Sequence, residues 1–388
     1  MRIALVMAGG GGSRLWPAST PERPKQFMAL RTDRRQSLLA AAVDRAAAVV
    51  GVDCTFLVTT AELAAAVRTA APQLPPEHVI EEPCPRSTAP CVALSLVHIV
   101  ERLRARGWSE GQIDETALMV LPSDHHIGDE GRFAELLARA CDCAAETRDV
   151  VVLGVTPTRP ETGYGYIERD GVPRASACDS ACASLTLYSA LRFVEKPNVA
   201  RAREFLASGR FLWNAGVCIT PIGRMLAEYQ RHAPALWQAF APVIAALREG
   251  SPELARARTA AAYASIQPAS IDVAILEQLA DLRVAATDVA WTDLGSWAAI
   301  REALPRDGDG FAVHAENGAA VHVVDGRDGL VWTDGADVAI VGLDGVAVIS
   351  SGGRILVCPL ERAQEVRAAA EASARHVSAR PHDKPRDT

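Results

Sequence analysis

Two patterns of apolar residues divide this chain. From Arg2 to about Arg301, short unbroken apolar runs alternate with longer stretches of helical period. "RIALVMA", "TFLVTT", "HVIEE" and "TALMVLPSD" predict strands, because compact aliphatic and β-branched runs bounded by turn residues suit a buried sheet. "SLLAAAVDRAAAVV", "TAPCVALSLVHIVERLRA" and "RFAELLARACDCAAE" predict the helices between them. Strand–helix alternation implies an α/β class with a Rossmann-like, mainly parallel sheet covered on both faces. Ligands of such sheets gather at the C-terminal ends of the strands. After "PRDGDG" (305–310) the pattern changes. "AAVHVV", "GLVWT", "DVAIVG", "GVAVIS" and "RILVCPL" are short β runs at nearly regular spacing, separated by Gly and Asp. They predict a second, all-β unit, either a small β-helix or a stack of hairpins. A helical segment from Glu361 to about His376 follows, and the polar ending "SARPHDKPRDT" is expected to be disordered. The expected organisation is a first domain over 1–305, a β-helix-like domain over 306–360, and a terminal helix and tail over 361–388.

Composition removes several function classes. A chain of 388 residues is long enough for two units with a sizeable core. Its net charge of −7 and the lack of a basic stripe exclude a nucleic-acid binder. No apolar run approaches the roughly 18 residues of a membrane helix. The N-terminal run is too short for a signal peptide, so the expected location is cytoplasmic. The cysteines number nine, an odd count, and are scattered. Cys141/Cys143 and Cys178/Cys182 are the close pairs, and no histidine stands at metal-ligand spacing. The reading is reduced thiols, not zinc.

The candidate chemistry begins at "MAGGGGSRLWPASTPERPKQF", Met7 to Phe27. Glycines directly after a strand let backbone N–H groups turn toward a phosphate with no side chain in the way. This is not a Walker A loop, which ends Gly-Lys-Ser/Thr where this one ends Gly12-Ser13-Arg14. Nor is it a G-x-G-x-x-G fingerprint, whose third glycine is replaced by Arg14 or Leu15. Arg14 could set a planar fork on phosphate oxygens, and Lys25 in "ERPKQF" could offer a point charge. The competing reading is a glycine-rich turn with surface cations. "LPSD" puts Asp124 at the C-terminal edge of a strand, and "WTDLGSW" puts Asp293 between two tryptophans. Either aspartate alone is commonly a turn or cap residue. Two carboxylates beside phosphates suit Mg²⁺, which takes few protein oxygens and shares its shell with phosphate and water. "TGYGYIE" would let a ligand approach backbone. Glu195 of "FVEKP" and Asn214 of "FLWNAG" could bind sugar hydroxyls or be structural. The adjacent His125 and His126 read as ordinary polar residues.

Together "MAGGGGSRLWP", "PKQF", "EEPCPRSTAP", "VLPSDH", "PETGYGYIE", "FVEKP", "FLWNAGV", "SIDVAILE" and "WTDLGSW" resemble the mannose-1-phosphate guanylyltransferases. These are the GDP-mannose pyrophosphorylases of the sugar nucleotidyltransferase superfamily. The stretches run in family order from residue 7 to 297, with weaker similarity through "IVGLDGVAVISSGGRILVCPLERAQEV". The length leads us to expect the transferase alone, without the isomerase domain of bifunctional members. There are departures. Gly11 and Ser13 stand where the family usually has Ser and Thr. Ser87 replaces a usual Asn, Val273 a usual aromatic and Cys218 a usual Phe. The glycine-loop and Ser87 departures bear on base choice more than on reaction class.

The resemblance implies that mannose 1-phosphate and GTP give GDP-mannose and pyrophosphate, with Mg²⁺ as cofactor. The sugar phosphate is already an anionic nucleophile, so no general base is needed. In-line positioning and cation stabilisation carry the rate. On this resemblance Ala8, Gly9, Gly10, Gly11, Gly12 and Ser13 would hold the triphosphate. Arg14 would grip the β- and γ-phosphates, and Lys25 would stabilise the transition state near the α-phosphate. Both cations are expected to be exposed without ligand. Asp124 and Asp293 would hold the metal. Glu82, Ser87, Thr88, Ala89 and Pro90 would contact guanine, whose N1–H and N2–H donors suit backbone carbonyls or the Glu82 carboxylate. Gly165, Glu195, Lys196, Asn214 and Asp272 would line the sugar-phosphate pocket, although Asp272 also reads as a cap of the helix "VAILEQL". The β unit could join subunits into a homo-oligomer. Two alternatives stand beside this. One is a guanylyltransferase for another manno-configured sugar 1-phosphate, such as a heptose 1-phosphate. The other is a non-catalytic nucleotide-sugar-binding paralogue, which would tolerate loss of Arg14, Lys25, Asp124 or Asp293; all four are present.

Overall fold

A computed structural model of the chain describes residues 1–10, 13–30, 36–173 and 185–378. Gly11, Gly12 and the polar ending beyond residue 378 lie outside the described residues. Contacts divide the chain into two compact units. The first comprises Met1–Gly9, Leu39–Ser123 and Ile127–Trp291; the second comprises Gly10–Leu38, Asp124–His126 and Thr292–Thr388.

The first unit is built on a nine-stranded sheet. Its strands are β1 (Arg2–Met7), β2 (Thr55–Thr60), β3 (Val79–Glu82), β4 (Ala117–Pro122), β5 (Val151–Val155), β6 (Gly165–Arg169), β7 (Thr186–Glu195), β8 (Phe211–Pro221) and β9 (Arg283–Thr287). They lie in the order β3-β2-β1-β4-β8-β5-β9-β7-β6, with β6 also pairing β8. Strands β3, β2, β1 and β4 are parallel neighbours, with Ala4 opposite Thr55 on one side and Met119 on the other. Strand β8 runs against β4, β5 and β6, and β7 runs against β9 and β6. With β5 and β9 parallel, every strand except β7 and β8 points the same way, so the parallel strands that the alternation predicted form a mixed sheet into which β7 and β8 insert antiparallel. Successive strand residues face opposite sides. Ile3 through Val6 are all buried, as are Ala117 through Leu121, so helices cover both faces. The helix Thr88–Ala105 has the bounds the sequence predicts, and Asp129 starts the helix Glu130–Thr147 by accepting from the Arg132 N–H at 3.0 Å. The C-terminal ends of β1 and β3 deliver Ala8–Gly9 and Glu82. One expectation about the thiols fails: Cys143, buried in that second helix, is disulfide-bonded, while six other cysteines are free. Helix positions two apart point to different sides, so the sequence pair Cys141/Cys143 is not a unit.

The second unit settles the choice between hairpins and a β-helix. Its strands are β10 (Ala312–Ala315), β11 (Val321–Val324), β12 (Leu330–Thr333), β13 (Val338–Val341), β14 (Val346–Ser351) and β15 (Arg354–Pro359). Strands β10, β12 and β14 are parallel, β11 and β13 form a second parallel pair, and β15 closes the end antiparallel to β14. One chain therefore feeds two parallel sheets in turn, as in a β-helix. Hydrogen bonds repeat at a separation of 17 residues: Asn317 Nδ2 to the Asp334 carbonyl, Ala320 N–H to Asp337 Oδ1, and Arg327 N–H to Asp344 Oδ1, each 2.7 Å. The Asp residues that separate the β runs, joined by Asn317, thus make the ladder at its corners.

Alternation along the rungs makes two apolar clusters. Phe311, Val331, Ile340 and Val346 fill the inside. The outer face presents Leu330, Trp332, Ala347 and Ile349, which pack with Leu294, Trp297 and Ile300 and with Leu15, Ala18, Met28 and Leu30. The Trp297 indole N–H donates to the Trp16 carbonyl at 3.1 Å, and His314 stacks on Trp332 at 3.6 Å with Nδ1 3.2 Å from the Leu30 carbonyl. The β-helix thereby grips the segment that carries Arg14 and Lys25. Replacing the fully buried Trp297 with Ala should cost about 3–5 kcal/mol by transfer and cavity terms. Denaturant unfolding followed through the second unit checks this, and a loss below about 1 kcal/mol would remove Trp297 from the grip.

Candidate active site

The second unit gathers Lys25, Asp124 and Asp293. Pro24, at φ −61° and ψ 161°, leads into the single 3₁₀ turn Lys25–Phe27. Lys25 is only 7% exposed, which corrects the expectation of an exposed cation. Its ammonium lies 2.7 Å from Asp124 Oδ2 and donates to the backbone carbonyl of Asp293. A lysine can be buried when its charge is paired and its donors are used. Burial pushes the Asp124 carboxyl up, but the Lys25 ammonium and then His125 outweigh it and hold Asp124 below the ordinary aspartate range. His125 Nε2 is 3.8 Å from Asp124 Oδ1; an adjacent histidine pair gave no sequence signal for that role. Arg14 is half-buried on the 3₁₀ turn Ser13–Leu15, and no hydrogen bond or ion pair holds its guanidinium among the described residues.

Asp293 is aimed by its own turn. Gly295 N–H donates to Asp293 Oδ1 at 2.7 Å, and a Cβ at position 295 would stand 2.8 Å from that oxygen. Leu294 takes φ 50° while its side chain is buried in the core. Lys25 thus joins the Asp124 carboxylate to the Asp293 backbone, and carboxylate oxygens are the hard donors that a small divalent cation takes. Among the described residues, no three His, Cys, Asp or Glu side chains gather to hold a metal by themselves, so phosphate and water oxygens would complete such a shell.

The first unit carries two further groups. Ala8 is fixed in the sheet, its N–H donating to the Val58 carbonyl at 2.8 Å and its carbonyl accepting from Thr59 Oγ1 at 2.9 Å. Gly9 is exposed, as is Gly10 of the second unit, and a Cβ at Gly9 would lie 3.7 Å from Glu82 Oε2. Glu82 is buried, and its Oε1 accepts from the Tyr263 hydroxyl at 2.8 Å. Burial pushes Glu82 up to about 7, against hydrogen bonds from Tyr263 and the Cys91 thiol. Ser87 sits at φ 68° and ψ −174°, immediately before the helix Thr88–Ala105. Thr88 Oγ1 accepts from Ile271 N–H at 2.8 Å. Ala89 donates its N–H to the Ala269 carbonyl at 2.9 Å, and its own carbonyl accepts from Tyr229 at 2.8 Å. Ala89 and Pro90 are buried.

The last group stands on β6, β7 and β8. Gly165 faces Glu195 across β6 and β7. A Cβ at Gly165 would come 2.9 Å from Glu195 Oε2 and 3.6 Å from the Asn214 Cβ, so a side chain there would fill the space. Asn214 Nδ2 donates to Asp272 Oδ1 at 3.0 Å. Asp272 is not the cap: Ser270 caps the short helix Ile271–Ala274 by accepting from Val273 N–H at 3.3 Å. Burial raises the Asp272 carboxyl, Asn214 opposes this, and Glu195 adds to it. Lys196, at φ 42°, pairs with Glu195. Glu277 joins the acidic set, raised by burial and then by Asp272 and Glu195, and nothing in its sequence surroundings marked it.

The nucleotidyl transferase profile matches residues 3–309, and the MannoseP isomerase/GMP-like beta-helix domain profile matches residues 319–371. The chain belongs to the nucleotidyl transferase family. It is 32% identical to the mannose-1-phosphate guanylyltransferase of Escherichia coli, over 96% of this chain and 74% of the relative. It is 32% identical to the alginate biosynthesis protein AlgA of Pseudomonas aeruginosa, over 94% of this chain and 70% of that protein. A crystal structure described as mannose-1-phosphate geranyltransferase from Thermus thermophilus superposes with a TM-score of 0.79 at 32% identity, covering 96% of this chain and 99% of that one. Enzymes of this nucleotidyl transferase family use a nucleoside triphosphate and a sugar 1-phosphate as substrates and generally need a divalent metal. Among the described residues, no helix is long and apolar enough to cross a membrane.

The buried Glu82 generates a pH prediction. Its folded value of about 7 lies above the ordinary 4.5. Its contribution to stability is therefore full below about 4.5 and lost as pH rises through about 7. Glu82→Gln does not titrate. Between pH 5 and pH 8 the variant should gain about 2–3 kcal/mol relative to the parent. Urea unfolding at the two pH values measures this, and a constant difference would show that Glu82 is not raised.

Proposed function

We propose that this chain transfers GMP from GTP to mannose 1-phosphate, giving GDP-mannose and pyrophosphate. The observation that carries the reading is the buried Lys25 bound at once to Asp124 and Asp293, in a chain similar along nearly its whole length to mannose-1-phosphate guanylyltransferases. A phosphate oxygen of the sugar phosphate attacks the α-phosphorus. The bond from that phosphorus to the bridging α,β oxygen breaks, and pyrophosphate leaves with the electron pair. No proton has to be removed first, so the protein's task is to align two anions and hold cations where charge builds.

Residue by residue, Gly9 and Gly10 offer backbone N–H groups to the triphosphate, and Arg14 places its fork on the β- and γ-phosphates. Lys25 faces the α-phosphate as a cation fixed in advance. Asp124 and Asp293 would hold Mg²⁺, which when bound neutralises charge on the reacting phosphates. Glu82 accepts from guanine N1–H and N2–H, and the Ser87–Pro90 segment is rigid enough to hold the base against it. Gly165, Glu195, Asn214 and Asp272 read the sugar hydroxyls, with Lys196 toward the sugar phosphate.

The direct test incubates the protein with Mg²⁺, each of the four nucleoside triphosphates and a panel of sugar 1-phosphates, and measures pyrophosphate. GTP with mannose 1-phosphate should be fastest. A faster heptose 1-phosphate, or no release from any pair, overturns the reading. Asp124→Asn and Asp293→Asn should each lose at least about 100-fold in rate with the fold intact, since a divalent ion supplies several kcal/mol. Near-normal turnover in either removes that residue from the metal.

The two cations should separate by their stability effects. Arg14→Lys keeps the charge and loses the fork, so most activity should go in synthesis and in pyrophosphorolysis, with stability within about 0.5 kcal/mol of the parent. Lys25→Ala should lose rate and also about 1–3 kcal/mol of stability, because it leaves the Asp293 carbonyl and the Asp124 carboxylate without their donor. Rate assays in both directions beside thermal unfolding check this. Parent-like turnover in both variants would make the cations surface features only.

A further inference from the structure

One buried titratable side chain supports the site from behind. Tyr263 is fully buried on the helix Pro252–Ser265, and its hydroxyl donates to Glu82 Oε1 at 2.8 Å. Its ring packs edge-on to Phe240 with centroids 6.1 Å apart, and its backbone carbonyl accepts from Arg86 Nε at 3.1 Å. Side chain and backbone both tie Tyr263 to the stretch from Glu82 to Arg86. The Cys91 thiol is the other group bonded to the Glu82 carboxylate, and Cys84 stands near the Tyr263 hydroxyl. No cation pairs with Glu82 among the described residues.

We propose that Tyr263 is a positioning residue that sets base selectivity, by fixing the Glu82 carboxylate so that it meets a purine as an acceptor only. This rests on the reading that Glu82 faces guanine. The chemistry is as follows. A hydroxyl donor on one oxygen holds the carboxylate in one rotamer and opposes the rise that burial imposes, so above about pH 7 the other oxygen only accepts. The Tyr263 hydroxyl keeps its own proton, because burial and then Glu82 push its ionisation far up. Guanine offers N1–H and N2–H donors to such an oxygen. Adenine puts the N1 lone pair in the same place, where a carboxylate repels it and only a protonated carboxyl could donate. Without the Tyr263 donor, Glu82 would turn more freely and take a proton more readily, and both changes narrow the gap between the bases. The Tyr263 hydroxyl thus acts on the base through Glu82.

Tyr263→Phe keeps the ring against Phe240 and removes only the O–H. The kcat/KM ratio of GTP to ATP should fall at least about 10-fold, as a buried acceptor loses its partner, mostly through the KM for GTP. The pH midpoint of that KM should move upward, since the lost donor favoured ionised Glu82. A merely structural role would depress GTP and ATP alike and leave the midpoint where it was; that outcome overturns the proposal. Glu82→Gln separates the two readings. If Glu82→Gln keeps the parental GTP:ATP ratio, the base assignment itself is wrong and the proposal goes with it. If Glu82→Gln lowers the ratio while Tyr263→Phe keeps both ratio and midpoint, the assignment stands and the role of Tyr263 is refuted.

Discussion

The second unit depends on one apolar contact, the outer face of the β-helix against the segment Leu15–Leu30. Leu330, Trp332, Ala347 and Ile349 belong to parallel rungs, so their positions are fixed by the hydrogen-bond ladder at the corners. Leu15, Ala18, Met28 and Leu30 have no sheet of their own and are held by packing against that face. Ordering such a segment costs backbone entropy, about 1–2 kcal/mol per residue and less at Pro17, Pro21 and Pro24, whose φ is already fixed. Burial of several aliphatic side chains and two tryptophans, about 1.5–3 kcal/mol for each aliphatic group, offsets that cost. The polar contacts then fix direction: Trp297 to the Trp16 carbonyl, and His314 to the Leu30 carbonyl. Lys25 lies between these anchors, so a C-terminal β-helix governs the placement of an N-terminal lysine.

Electrostatics finishes what packing begins. Lys25 bridges a side chain and a backbone carbonyl from two distant parts of the sequence, Asp124 and Asp293. A buried ammonium with no partner would shift toward neutrality. Here the Asp124 carboxylate stays ionised in spite of its burial because the cation is beside it. The same pairing brings the Asp293 backbone close to the Asp124 carboxylate. Arg14 differs, half-buried with its fork uncommitted among the described residues. One cation is committed to Asp124 and Asp293 and the other is not, although both read alike as polar residues of a Gly/Pro-rich stretch.

Much of the first unit was legible because its strands are uninterrupted apolar runs and its helices keep their period. Thr88–Ala105 and Ala117–Pro122 are cases in point. Strand β7 was not legible as a strand: it is long but buries only Leu187 and Tyr188, and its residues show neither a continuous nor an alternating apolar pattern. The β-helix was visible as spacing, yet hairpins and rungs place apolar residues in the same alternation, and only the pairing of Ala312 with Leu330 and of Leu330 with Ala347 distinguishes them. The interleaving of the units left no local mark either. It comes from contacts between residues far apart in sequence, such as Trp16 and Trp297. Individual motifs pointed to Lys25, Asp124 and Asp293, but the burial of Lys25 and the proximity of His125 could not be read without those long-range contacts. Tyr263 stood in an alanine-rich helix with no motif around it.

Two strained backbone positions fall beside these same groups. Ser87 adopts φ 68° with ψ −174°, a region that glycine occupies readily and other residues at a cost of about 1–3 kcal/mol. Asparagine, the residue that the family resemblance leads one to expect at this place, tolerates positive φ better than serine does. The chain keeps the geometry without the favourable residue because its neighbours leave no alternative. Thr88 Oγ1 holds Ile271 N–H, Ala89 N–H holds the Ala269 carbonyl, and the Ala89 carbonyl holds Tyr229. Leu294 is held at φ 50° in the same way, its side chain locked in the core while Gly295 N–H turns onto the Asp293 carboxylate. In both places ordinary helix and core packing supplies the energy, and the strained residue converts it into the orientation of a polar group. A relaxed backbone at Ser87 or Leu294 would have to break one of those bonds or empty part of the core. The strain is therefore retained as long as the surrounding packing is intact.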